Sequence, residues 1–123
     1  MQCAERPTSS PGVRVFTALG RDEVLAQLNR WAATLRQRHP ELIRVGLFGS
    51  YARGDYAPGS DIDLLLIIRE SNEPRWFMRS AAFDTSDLPV GADVFVYTEA
   101  EIERMSRDSL WLRRILEEIV WIP

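Results

Sequence analysis

A mixed β-sheet with helices packed on it, in the α/β or α+β class, is the fold that this chain predicts. Three observations lead there. Apolar residues recur at helical spacing over residues 22–39. Three apolar runs, at 42–48, 62–68 and 92–97, have the length of strands. A capping box then opens a helical stretch toward the C-terminus.

Taken in order, residues 1–12 hold Pro7, Thr8, Ser9, Ser10, Pro11 and Gly12 and read as a disordered leader. Residues 13–17 have the character of a short strand. From Asp22 to His39, Val24, Leu25, Leu28, Trp31, Ala32 and Leu35 fall on one helical face. Arg21, Gln27, Arg30 and Arg36 take the other, and Pro40 stops the helix. His39, in the last turn, is a natural partner for the helix dipole. Residues 42–48 form a buried strand. Gly49 and Ser50 leave it for a short helix or turn through Gly54, followed by a loop over 55–59. Residues 62–68 are apolar on both faces past Asp63, as a strand at the centre of a sheet should be. The stretch 71–89 is punctuated by Pro74, Asp84, Ser86, Asp87 and Pro89, with room for a short helix around 76–83. A third strand covers 92–97, with Asp93 near its start. Thr98 and Glu101 are the capping box of a helix running to Met105. Asp108 caps a last helix carrying Leu112, Ile115, Leu116 and Ile119, and an apolar tail, Val120, Trp121 and Ile122, follows.

Composition narrows the functional classes. At 123 residues the chain has room for one domain, placed at 13–123, and its 46% hydrophobic content suffices for a core. No apolar run approaches eighteen residues, and the N-terminus lacks the pattern of a secretory signal. The single cysteine, Cys3, cannot form an internal disulfide, so the cytoplasm is the expected compartment. A net charge of −3 with no basic stripe argues against independent nucleic-acid binding. All 15 basic residues are arginines, so any cationic contact to a phosphate must come from a planar guanidinium.

Chemistry concentrates in two short segments. Gly49 and Ser50 end a buried strand where a ligand could approach the backbone closely, and a helix opening at Ser50 would add free N–H groups for an anion. Arg53, three residues on, could reach a phosphate oxygen with two N–H groups or could order the loop by pairing with Asp55 or Asp61. Asp61 and Asp63 flank one residue at a strand start, so both carboxylates point to one face. Two like charges held close gain from a hard divalent cation, and Mg²⁺ prefers carboxylate oxygens. Asp93 can join them if its strand lies beside the second. Three carboxylates beside a phosphate cradle suit two-metal phosphoryl transfer, with a spare carboxylate to take the nucleophile's proton.

These residues carry a resemblance. Gly49-Ser50, Ala52-Arg53-Gly54, then Ser60-Asp61 and Asp63-Leu64 resemble the signature of the minimal nucleotidyltransferase (MNT) domain of the DNA polymerase β-like superfamily, over about residues 20–119. The resemblance implies the nucleotidyltransferase fold, a small mixed sheet with helices packed on it. It also implies nucleotide binding at Gly49, Ser50, Arg53 and Ser60, and a catalytic, Mg²⁺-binding triad of Asp61, Asp63 and Asp93. In the family a clear helix usually joins the second and third strands, and the broken stretch 71–89 departs from that.

The family moves a nucleoside monophosphate from a triphosphate to a hydroxyl. Larger relatives hold the acceptor in an extra helical domain; a chain ending at residue 123 is expected to find its acceptor on another polypeptide or on a second copy. MNT proteins of this size resemble the antitoxins of HEPN–MNT pairs, of the type VII toxin–antitoxin class. The resemblance therefore implies AMP transfer from ATP, with about two Mg²⁺, to a tyrosine hydroxyl of a helical HEPN toxin. Two alternatives stand beside it: an antitoxin that neutralises its partner by binding alone, and a homodimeric enzyme for a small-molecule acceptor. Trp76, Trp111 and Trp121 fit a partner surface or the domain's own core, with burial expected for Trp111.

Overall fold

The structure is a computed structural model that describes residues 20–123. The leader at 1–12, the strand at 13–17 and Cys3 lie outside the described residues. The first helix, α1 (Arg21–Arg38), buries Val24, Leu28, Trp31, Ala32 and Leu35, the apolar face read from the sequence. Glu23 in its first turn accepts the Gly20 N–H at 2.9 Å.

Strand β1 (Leu42–Phe48) leads into a single helical turn, α2 (Ser50–Arg53), and a loop carries the chain to β2 (Ile62–Ile68). A one-turn helix, α3 (Trp76–Arg79), and a 3-10 turn at Ser80–Ala82 fill the stretch before β3 (Ala92–Thr98). Two helices, α4 (Glu99–Asp108) and α5 (Leu110–Glu118), precede a short strand, β4 (Val120–Ile122). The expected class is therefore observed. Among the described residues the sheet runs β3-β2-β1-β4, with β2 beside β1 near the centre. The pair β2–β3 is parallel; β1 pairs antiparallel with both β2 and β4.

Alternation divides the sheet into two faces. Ile62, Leu64, Leu66, Ile68, Val45, Leu47 and Val96 pack against α1. A bulge between Leu42 and Arg44 lets Leu42 share that face with Val45 despite their odd spacing. Phe48, Leu65, Ile67 and Tyr97 point the other way, onto Leu112 and Ile115 of α5. At roughly 1.5–3 kcal/mol for each fully buried aliphatic side chain, Leu64, Leu65 and Leu66, all with no exposed surface, pin β2 from both sides.

Three readings of the C-terminal part need correction. The capping box is present, with Glu101 N–H donating to Thr98 Oγ1 and Thr98 N–H donating to Glu101 Oε1. The helix it starts runs to Asp108 rather than Met105, and so absorbs the residue expected to cap the next one. Ser109, with extended backbone, takes that role, its hydroxyl accepting the Leu112 N–H at 3.1 Å. Ile119 falls just past α5, and the apolar tail is a strand. Three residues give too little periodicity to reveal one. Their place comes from long-range partners: β1 on one side, and Arg36, which donates to the Ile122 and Pro123 carbonyls at 2.9 and 2.7 Å.

Candidate active site

The parallel register pairs Asp63 of β2 with Asp93 of β3. Both precede residues that face α4 and α5: Leu65 and Ile67 after Asp63, Phe95 and Tyr97 after Asp93. The two carboxylates thus stand on one face, at one end of neighbouring strands. Asp61 lies just before β2, where Ile62 N–H donates to the Gly91 carbonyl at 2.9 Å. A Cβ built on Gly91 would come within 2.5 Å of Asp61 Oδ1, so the missing side chain there is what admits the carboxylate.

Gly49 plays the same part for Asp63. Its φ of +81° is the left-handed region that glycine enters without strain, and a Cβ on it would lie 2.2 Å from Asp63 Oδ2. Alanine at this position would therefore be strained and would strike the carboxylate. The turn is anchored below by Tyr51, buried and stacked on Tyr56 at 4.2 Å. Arg21 of α1 clamps both, donating from Nε to the Tyr51 carbonyl and from its backbone N–H to the Tyr56 hydroxyl.

Burial, then the negative charges of Asp93 and Asp61, push the Asp63 carboxyl above the usual aspartate range, with Arg53 acting weakly the other way. The three aspartates therefore share one electrostatic field. Among the described residues no three acidic, histidine or cysteine side chains are drawn into a ligating cluster as they stand.

An open cavity of about 580 Å³ adjoins this edge, lined by Phe48, Gly49, Ser50, Arg53 and Asp63 on the sheet side, with α5 opposite. Of the seven residues expected from the sequence, these four lining residues, Gly49, Ser50, Arg53 and Asp63, meet in one place, with Asp93 across the register from Asp63 and Asp61 just before β2. Ser60 stands apart: its hydroxyl accepts the Ala57 N–H at 2.9 Å and closes the turn over 57–60. One of the two readings of Arg53, the pairing with Asp55, is observed. Its Nε donates to Asp55 Oδ2 at 3.1 Å, ordering the loop, while Nη1 reaches 3.2 Å from Glu118 Oε2 at the cavity.

Glu118 was not foreseen from the sequence. It closes α5, and its Oε2 accepts the Gly49 N–H at 2.6 Å. No local signal marks it, because it lies 69 residues from Gly49 in the chain. Gly91 was missed as well, although a glycine two residues before a candidate ligand is a readable sign of close approach. Trp111 corrects another expectation. It is 41% exposed, yet its ring contacts Phe48, Phe95 and Tyr97. Trp121 is partly buried, its ring beneath the Arg44 guanidinium at 3.8 Å.

Residues 28–122 match the Nucleotidyltransferase domain family. The chain belongs to that family. Its members are nucleotidyltransferases. A Methanocaldococcus jannaschii protein named "Putative protein adenylyltransferase MJ0141" is 42% identical over 48 residues, 39% of this chain and 46% of that protein. The Dictyostelium discoideum poly(A) polymerase is 37% identical over 76 residues, 52% of this chain and 9% of the polymerase. The chain thus spans less than half of either curated relative. A crystal structure of a "putative nucleotidyltransferase" from Sulfolobus solfataricus superposes with a TM-score of 0.59 at 23% identity, covering 93% of this chain and 87% of that one. That likeness establishes the fold. Among the described residues no helix is long and apolar enough to cross a membrane.

Proposed function

We propose that this nucleotidyltransferase is an MNT antitoxin that transfers AMP from ATP, with Mg²⁺, to a tyrosine hydroxyl of a HEPN-family toxin. The observation that carries the transfer chemistry is the parallel register of Asp63 and Asp93, with Asp61 seated on Gly91 at the same edge. The donor chemistry fits the metal. Carboxylate oxygens are what Mg²⁺ prefers, and the half-buried like charge at Asp63 is what a divalent cation relieves. Asp61, Asp63 and Asp93 would hold it, and when bound it balances charge on the phosphoryl group in transfer.

The chain's own residues do the rest. The Gly49 N–H and Arg53 hold phosphate oxygens at the mouth of the cavity. The acceptor oxygen forms a bond to the α-phosphorus as the bond from that phosphorus to the β-phosphate bridging oxygen breaks. Pyrophosphate leaves, and the hydroxyl proton passes to the Asp93 carboxylate. A protein acceptor draws support from the name of the M. jannaschii relative. The HEPN identity rests on the resemblance of the Gly49-Ser50 and Asp61–Asp63 signature to antitoxins of that class. We place the protein in the cytoplasm, where such pairs act.

The test combines the purified chain, Mg²⁺, ATP labelled at the α-phosphate and a lysate of the source cells, with any labelled protein identified by its mass. Label should appear on a HEPN-family protein with wild type and be absent with the Asp61→Asn/Asp63→Asn double variant. Label on RNA or a small molecule would keep the enzyme and replace the acceptor. Label that survives the double variant would sink the proposal.

A further inference from the structure

The phosphate-facing groups of the proposed site already hold an anion. The Glu118 carboxylate accepts the Gly49 N–H at 2.6 Å through Oε2, and Arg53 Nη1 stands 3.3 and 3.2 Å from Oε1 and Oε2. These two donors are the ones the transfer reading gives to the nucleotide. Glu118 also adds to the negative field that Asp63 feels, so its charge lies within reach of the acidic edge. Its side chain keeps 25% of its surface exposed, so solvent reaches the contact.

We infer that Glu118 is an internal competitor for the phosphate seat, displaced whenever a nucleotide binds. The inference rests on the nucleotidyltransfer reading and adds a control on it. The physical case is short. A backbone N–H has one hydrogen to give, and at 2.6 Å it is given to Glu118. A phosphate brought to the same seat would meet a carboxylate at contact distance, beside three further carboxylates, and like charges so close oppose each other by more than the seat returns. The nucleotide must therefore break three hydrogen bonds and move the end of α5 before it is held. That end is not anchored by capping: Ile119 follows in extended backbone, and the chain goes straight into the short strand β4. The junction can turn the Glu118 side chain out to solvent without unpacking Leu112 or Ile115, which lie six and three residues back on the buried face.

A competitor in the seat has two consequences. It keeps Arg53 and the Gly49 turn in their binding geometry when no nucleotide is present. It also lowers affinity, so a nucleotide arriving with its charge already balanced is favoured over the bare triphosphate.

Affinity for a non-hydrolysable ATP analogue, measured by calorimetry with and without Mg²⁺, tests this directly. Glu118→Gln keeps an acceptor for the Gly49 N–H and removes the charge; Glu118→Ala empties the seat. Melting curves establish that each variant is folded. Both variants should bind the analogue at least fivefold tighter than wild type, with the larger gain in the absence of Mg²⁺. Unchanged affinity in folded variants overturns the inference. So does weaker binding confined to Mg²⁺, because Glu118 would then be a metal ligand. If neither wild type nor variants bind any nucleotide, the transfer reading falls and this inference with it; binding by wild type without a gain in the variants removes the inference alone.

Discussion

Arg79 and Arg53 each clasp a glutamate from far along the chain, in very different surroundings. The Arg79 side chain is 5% exposed, and each of its three guanidinium nitrogens donates. It donates to both Glu101 oxygens at 2.6 and 3.0 Å and to the carbonyls of Glu73 and Val96. It ties the irregular stretch before β3 to the first turn of α4. Arg53 is 47% exposed, and its glutamate contacts are 3.2 and 3.3 Å. Its partner is shared with a backbone N–H at the cavity. A buried arginine with all three guanidinium nitrogens engaged has no open side for another anion, so it serves the fold. An open pair with long contacts can exchange its carboxylate for another anion, which is the role proposed for Arg53 at the site. Residue types are the same; burial and saturation separate the roles.

The sharpest break in that comparison comes from Asp63→Asn at the open region. Transfer should fall by about 10³-fold or more, since charge stabilisation at the reacting phosphate is worth several kcal/mol. The fold should not suffer. Burial and the charges of Asp93 and Asp61 already disfavour the Asp63 carboxylate, so a neutral isostere should melt at or above the wild-type temperature. Paired activity assays and thermal melts read both numbers; a variant that loses activity only because it unfolds would erase the distinction drawn here.

Arg79→Met should do the reverse. Removing Arg79 leaves Glu101, 22% exposed, with only its Thr98 contacts, and costs about 3 kcal/mol in urea unfolding. Activity per folded molecule should remain near wild type, because Arg79 touches nothing at the cavity. Adding Glu101→Met to that variant should restore part of the loss. No recovery would mean that the carbonyl contacts, and not the ion pair, hold α3 in place.

How far these roles were legible in the sequence follows from distance along the chain. Gly49, Ser50, Asp61 and Asp63 sit within fifteen residues, and their placement depends on local strand alternation and one turn, both of which leave a pattern. The helix and three strands were equally plain, because each is long enough for its period to show. Asp93 needed the assumption that the third strand lies beside the second, which the parallel register supplies. Ser109 over Asp108 was a choice between two good caps, decided by how far α4 extends. Glu118, β4 and the Arg79–Glu101 pair were invisible. Each depends on residues 22 to 86 positions apart, and nothing at either end announces the other.

The smallest effect expected is also the cleanest test of how the buried pair contributes. Hydrogen bonds from Arg79, and then from the Thr98 backbone, hold the Glu101 carboxyl below the usual glutamate range, against the opposing effect of burial. A folded value below the unfolded one means that the pair's contribution is fully present above the ordinary glutamate range. It is lost as pH falls through the folded value. Glu101→Gln removes this charge while keeping the capping box, since glutamine serves equally well at that position. At neutral pH the variant should be less stable than wild type, because Arg79 then lies buried beside a neutral amide. On acidification, wild type should lose stability more steeply, so that the two unfolding curves approach each other below the ordinary glutamate range. Urea melts of both proteins from neutral pH down to about pH 3, spanning the ordinary glutamate value, would show this. Curves that stay parallel throughout would mean that the charge on Glu101 contributes no pH-dependent stability. Arg79 would then hold α3 through its carbonyl contacts alone, and the two arginines would differ in burial without differing in what their glutamates do.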